Sequence, residues 1–164
     1  MATNDVDLAV PNRVKTPGDG LSLRDMLREA GFTEDFSGED QPPVARYQIG
    51  GEDEDFHLEF VTQRKGGPTK RDGTPNATTR FGGVSAQNLS YIDLLLQEPW
   101  SIDLAKVGSQ TSPASVIVRV VNPVAYLAQK ALTLELRPDR TKQAKDALYV
   151  HDTLLTFSGA LDEL

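Results

Sequence analysis

The chain has 164 residues, enough for one domain with a buried core, and carries a net charge of −7 with 38% hydrophobic and 25% charged residues. That balance argues against a broad electrostatic surface for nucleic acid, although a local basic patch stays open, and the lack of cysteine excludes disulfides, thiolate catalysis and cysteine-based zinc sites. A reducing compartment is expected, and with no apolar run of membrane-spanning length and no signal-like N-terminus, a cytoplasmic one.

The first element is a strand over 3–10, where Val6, Leu8 and Val10 alternate with Asp5 and Asp7. Two carboxylates at i and i+2 share one face about 7 Å apart, close enough to serve one pair of divalent cations and to repel each other without one. Residues 12–20 read as a loop, and Leu21 to Ala30 as a short amphipathic helix on Leu23, Met26, Leu27 and Ala30, stopped by Gly31. Residues 33–43 are acidic and turn-rich. A strand is expected over 45–49, a turn over 50–54 and a second strand over 55–62, the two strands forming a hairpin. In the second, Phe56, Leu58 and Phe60 alternate with Asp55, His57 and Glu59. If this strand neighbours the first, Glu59 or His57 stands opposite the aspartate pair and three acids gather on one sheet surface.

Residues 63–83 are rich in glycine, proline and threonine and hold Arg64, Lys65, Lys70, Arg71 and Arg80, the one basic segment of an acidic chain. They read either as a mobile solvated loop or as a loop closing over an anionic group such as a nucleotide phosphate. Tyr91 to Leu96 fits a short helix or a buried strand equally well. Trp100–Leu104 and Val116–Val121 are expected to pair around a polar loop over 105–115. Asn122 as N-cap and Pro123 at the first helical position open a helix with Tyr126, Leu127, Ala131 and Leu134 inward, broken by Pro138. A last helix over 139–157 places Ala144, Leu148, Leu154 and Leu155 inward. The class is α+β: a small mixed sheet over 1–121 with packed helices, and a C-terminal helical pair over 122–164, forming one compact unit.

Asp-x-Asp alone is common on the solvated face of an edge strand, and the second acidic strand is what lends it weight. Lys130, inside the stripe Ala128–Leu132, either snorkels to water or reaches a phosphate from the helix. Lys145 beside Asp146 is ordinary for a helix surface, and His57 and His151 lack the spacing of a metal pair. Walker-type phosphate loops, Gly-x-Ser-x-Gly elbows and dinucleotide fingerprints are absent from the sequence.

Thr3–Pro11 resembles the catalytic strand of the polymerase-beta-like nucleotidyltransferases, and more narrowly the bacterial stand-alone group that shares a superfamily with abortive-infection toxins. The similarity continues through Leu58–Thr62, Tyr91–Leu96, Val118–Pro123, Ala128–Leu132 and Lys142–Asp146. The resemblance implies a palm-like sheet on which Asp5 and Asp7, with Glu59 as third acid, hold two Mg²⁺ ions that align a nucleoside triphosphate for attack by a hydroxyl. Lys130 and Lys145 then match positions facing the triphosphate, and Lys65 lies in the basic loop expected to close over it. The expected function is Mg²⁺-dependent nucleotidyl transfer to a small molecule, RNA or protein, with a toxin-like role as one form of it; the net charge disfavours a large RNA. The sequence departs from the family in one respect: the helix and Gly-Ser turn that precede the Asp-x-Asp strand have no counterpart before Thr3. The alternative expectation is therefore a truncated or degenerate relative without catalysis, binding a nucleotide, a protein such as an antitoxin, or a second copy of itself.

Overall fold

The computed structural model describes residues 4–11, 22–38, 42–50, 56–106, 115–137 and 139–161. The expected loop over 12–20, most of the turn over 50–54, Leu21 and Pro138 lie outside the described residues. The fold is mixed α+β and divides into two compact units, Met1–Ile92 and Asp93–Leu164.

The first unit is built on strand β4 (Phe56–Gln63), which pairs in three directions. Strand β1 (Asp5–Val10) runs parallel along one edge over residues 57–62. The other edge is shared end to end: β3 (Val44–Ile49) pairs antiparallel with residues 56–59, and β6 (Val84–Leu89) pairs parallel with residues 60–63. The hairpin of β3 and β4 is as the alternation indicates. Two flanking strands complete the six-stranded sheet: β2 (Thr33–Ser37) on β3 and β5 (Thr78–Phe81) on β6, both antiparallel.

Because registered residues share a face, the period-2 patterns of β3, β4 and β6 converge on one core, while Val6 and Leu8 of β1, expected inward, are exposed and only Val10 of their stripe packs against it. Ala45, Tyr47, Leu58, Phe60, Val84 and Ala86 are buried on one side, where Val10, Leu23, Leu27, Phe32 and Phe81 pack against them. Tyr47 and Phe60 meet edge to face with ring centroids 5.7 Å apart. Helix α1 (Leu23–Glu29) supplies Leu23 and Leu27; Ser22 caps it with a reciprocal Asp25 bond, and Gly31 at φ 91° ends it.

Two segments differ from the sequence expectation. Residues 33–37, read as turn, form β2. Their acidic composition disfavours a strand, yet Glu34 on the core side accepts the Tyr47 hydroxyl at 2.9 Å and Arg24 Nε at 2.7 Å, which anchors the strand to its neighbours. Residues 63–83, read as one loop, contain β5, and Gly82 and Gly83, both at positive φ, turn the chain back into β6. The remaining basic segment is pinned: Asn76 Nδ2 donates to the carbonyls of Lys65 at 2.8 Å and Gly67 at 3.0 Å, and Lys70 N–H donates to the Thr74 carbonyl at 2.8 Å.

The run Tyr91–Leu96 resolves as a short helix, α2 (Ile92–Leu95), at the junction of the units. In the second unit β7 (Trp100–Asp103) and β8 (Ile117–Val120) pair antiparallel, as expected, into a sheet of their own. They therefore group with the helices, although the sequence joins them to the strands before them. Helix α3 (Pro123–Thr133) has Asn122 as N-cap, with its Oδ1 accepting from Ala125 N–H at 2.8 Å. Helix α4 (Arg140–Leu161) follows.

Of the residues expected inward on α3 and α4, Tyr126 and Leu127 are half-buried and the rest are not. Ala131, Leu134, Ala144, Leu148, Leu154 and Leu155 are all exposed, Leu155 by 66%. The buried positions are Pro123, Gln129 and Thr133 on α3 and Asp146 on α4, flanked by half-buried Tyr126, Lys130, Tyr149, Val150, Thr153 and Phe157. An ion-pair network replaces the expected leucine seam: Lys130 Nζ lies 2.7 Å and Arg137 Nε 2.6 Å from the Asp146 carboxylate. Once Asp146 turns inward to meet Lys130, the helix phase is fixed and Leu148 and Leu155 turn outward.

Candidate active site

The face of the main sheet opposite the core carries the acids. In register, Asp5 lies beside His57 and Asp7 beside Glu59, so all four share that face, with the β1 and β4 acids on adjacent strands. The neighbourhood anticipated from two separate alternating stretches is thus present in the backbone. Asp5 and Asp7 are exposed, while His57 and Glu59 are half-buried. The Nδ1 atom of His57 is buried without a hydrogen-bond partner.

Two residues that sequence reasoning passed over complete this face. Arg46 on β3 is the register partner of Glu59 on the edge of β4 away from β1, and its Nε donates to Glu59 Oε1 at 2.8 Å. Gln87 on β6, along the same edge, donates through Nε2 to Glu59 Oε2 at 2.6 Å. Asp35 on β2 is in turn the register partner of Arg46. The Arg46 guanidinium is held above its ordinary range first by its bond to Glu59, with the Asp5 and Asp35 charges adding to it. The available signal was period 2 alone: Arg46 sits between Ala45 and Tyr47, both buried, which directs it to the acidic face.

Three carboxylates on adjacent strands are oxygen donors of the kind hard divalent cations take. The side-chain conformation does not yet close the set. Among the described residues no three His, Asp or Glu side chains gather into a group able to hold a metal, and Glu59 is bonded to Arg46 and Gln87.

The lysines of interest lie elsewhere. Lys65 is exposed at the start of the pinned basic segment, in the same unit as the acids. Lys130 and Lys145 belong to the second unit. Lys130 is committed to Asp146 and stacks over the Tyr126 ring at 5.3 Å, and Lys145 stands exposed over the Tyr149 ring at 5.5 Å. No helix among the described residues is long and apolar enough to cross a membrane.

A family model described as nucleotidyltransferase matches residues 1–160. No curated protein and no solved structure matches the chain.

Proposed function

We propose, from the premise that this chain belongs to the nucleotidyltransferase family, that its acidic sheet face is a Mg²⁺-dependent site taking a nucleoside triphosphate as donor. The observation that carries this reading is the parallel pairing of β1 with β4, which sets Asp5, Asp7 and Glu59 side by side. In the proposed reaction an acceptor hydroxyl attacks the α-phosphorus. A new oxygen–phosphorus bond forms, the bond to the β-phosphate bridging oxygen breaks, pyrophosphate leaves and the hydroxyl proton passes to solvent or a carboxylate. Asp5 and Asp7 are the cation ligands and orient the triphosphate over the sheet, with Glu59 as the third ligand. Divalent cations, when bound, neutralise charge on the transferring phosphoryl group and align attacking and leaving oxygens. Lys65, in the same unit as the acids, is the cation proposed for the triphosphate. The acceptor class stays open between a small molecule, RNA and protein, and a toxin-like role with an antitoxin-type partner is one form of the proposal.

One observation favours a second reading, a nucleotide- or protein-binding relative without turnover: the Glu59 carboxylate is engaged by Arg46 and Gln87. The two readings part in one experiment. Mg²⁺ and each nucleoside triphosphate are titrated calorimetrically into the protein and its Asp5→Asn variant, and pyrophosphate release is followed in parallel. Cation-dependent nucleotide binding lost in the variant, with pyrophosphate release, supports transfer. Binding without release over a panel of acceptors supports the second reading, and binding unaffected by Asp5→Asn would sink the placement of the site.

A further inference from the structure

Glu59 has an acid on one side and a base on the other. Its register partner across one edge of β4 is Asp7, and across the other it is Arg46. Both of its oxygens are engaged on the second side, by Arg46 at 2.8 Å and Gln87 at 2.6 Å. Both of these partners stand on the β3 and β6 edge, across β4 from Asp7. We propose that Arg46 is a positioning residue that latches Glu59 in the cation-free protein, and that cation binding by Asp5 and Asp7 is completed when Glu59 exchanges Arg46 for the ion. The inference rests on the reading of the acidic face as a divalent-cation site.

Three features make the exchange feasible. The pair is not deeply buried, with 49% of the Arg46 side chain and 20% of the Glu59 side chain exposed, so water reaches both partners. An ion pair that open biases an equilibrium by a factor of only about two to five, which a dication shared by three carboxylates overcomes. Finally, Arg46 does not lose every anion on letting go. Asp35 is its register partner on β2, and the charges of Asp5 and Asp35 already act on the guanidinium.

The test is a calorimetric titration of Mn²⁺ and Mg²⁺ into the full chain and its Arg46→Met, Arg46→Lys and Glu59→Gln variants, with cation-free melting measured on each. The expected result is cation binding about two- to fivefold tighter in Arg46→Met than in the parent, as the competing pair is removed. Arg46→Lys should fall between, and Glu59→Gln should bind more weakly than all of them. Removal of the Arg46 charge alone also favours a cation, so Arg46→Lys, which keeps the charge, is decisive: an Arg46 acting only through its charge or only structurally leaves cation affinity in Arg46→Lys at the parent value, and that result overturns the latch. Parent-like or weaker affinity in Arg46→Met, in a protein whose parent binds the ion, overturns the latch and leaves the site standing. If neither the parent nor Arg46→Met binds a cation, the reading of the acidic face fails and the latch fails with it.

Discussion

At the scale of single residues, the contrast between Glu59 and Asp146 separates the carboxylate proposed as a cation ligand from a structural one. Glu59 has partners that water can reach. Asp146, on α4, is 5% exposed and lies between Lys130 of α3 and Arg137. Removing one member of a buried network strands the others, so Asp146→Asn should destabilise the protein by about 3–5 kcal/mol. Lys145→Ala, one residue away but exposed, should cost under about 0.5 kcal/mol. Urea denaturation of the two variants checks this, and equal losses would show that the network contributes little. Beside Asp146, burial first and then the Asp146 and Tyr149 charges push the Tyr126 phenol up to about 12 from its ordinary 10. Tyr47 is raised as well, by burial and by the bond it donates to Glu34. For a group raised in the folded state, the stability it contributes is complete below the unfolded value and is lost as pH climbs through the folded one. Stability should therefore fall between pH 10 and 12, and Tyr126→Phe should flatten that decline. An unchanged slope in the variant would assign the decline to other groups.

At the scale of elements, the sheet shows which patterns a sequence carries openly. Strands β1 and β4 were legible from their alternation, and in β4 Leu58 and Phe60 face the core as that pattern indicates, whereas Val6 and Leu8 of β1, expected inward on the same pattern, are exposed. Asn122-Pro123 was equally plain as a helix start. Strands β2 and β5 were not legible, since an acidic strand and a threonine-rich one take their conformation from the partner ladder rather than from their own propensity. The turn from β5 to β6 depends on a feature that only the packed fold explains. Gly82 and Gly83 both sit at positive φ, and a Cβ on Gly83 would lie 3.1 Å from Ser22 Oγ and 3.2 Å from Ser22 Cβ. Ser22 is the cap of α1, so this turn and that helix end are wedged together. Gly83→Ala should cost about 2–3 kcal/mol, combining left-handed strain with a disturbed cap. Gly38, also at positive φ but with open space around it, isolates the strain alone, and its alanine variant should cost about 1–2 kcal/mol. Thermal melting of both variants decides the matter; if Gly38→Ala costs as much as Gly83→Ala, the wedge has no energetic weight.

At the scale of the whole molecule, the two units differ in what they bury. The apolar cluster, with Tyr47, Phe60, Val84 and Ala86 at its centre, lies wholly within the first unit. Among the described residues of the second unit the buried side chains are Pro123, Gln129, Thr133 and Asp146, and Leu132, Leu136, Leu148 and Leu155 are exposed. The misplaced leucine stripes of α3 and α4 have the same origin. Hydrophobic periodicity predicts which face is inward only where apolar burial drives the packing, and between these helices an ion-pair network sets the phase instead. Apolar burial at about 25 cal/mol per Å² is the main favourable term in folding, so stability should be unevenly divided along the chain. A fragment of residues 1–92 has a closed core and a six-stranded sheet and should unfold cooperatively in urea. A fragment of residues 93–164 has neither, and should show helical circular dichroism with a broad, non-cooperative transition and a tendency to associate through its leucines. A sharp transition in the second fragment would mean that the Lys130–Asp146–Arg137 network alone can order the helices. That outcome would raise its standing from a device that fixes helix phase to the principal source of that unit's stability.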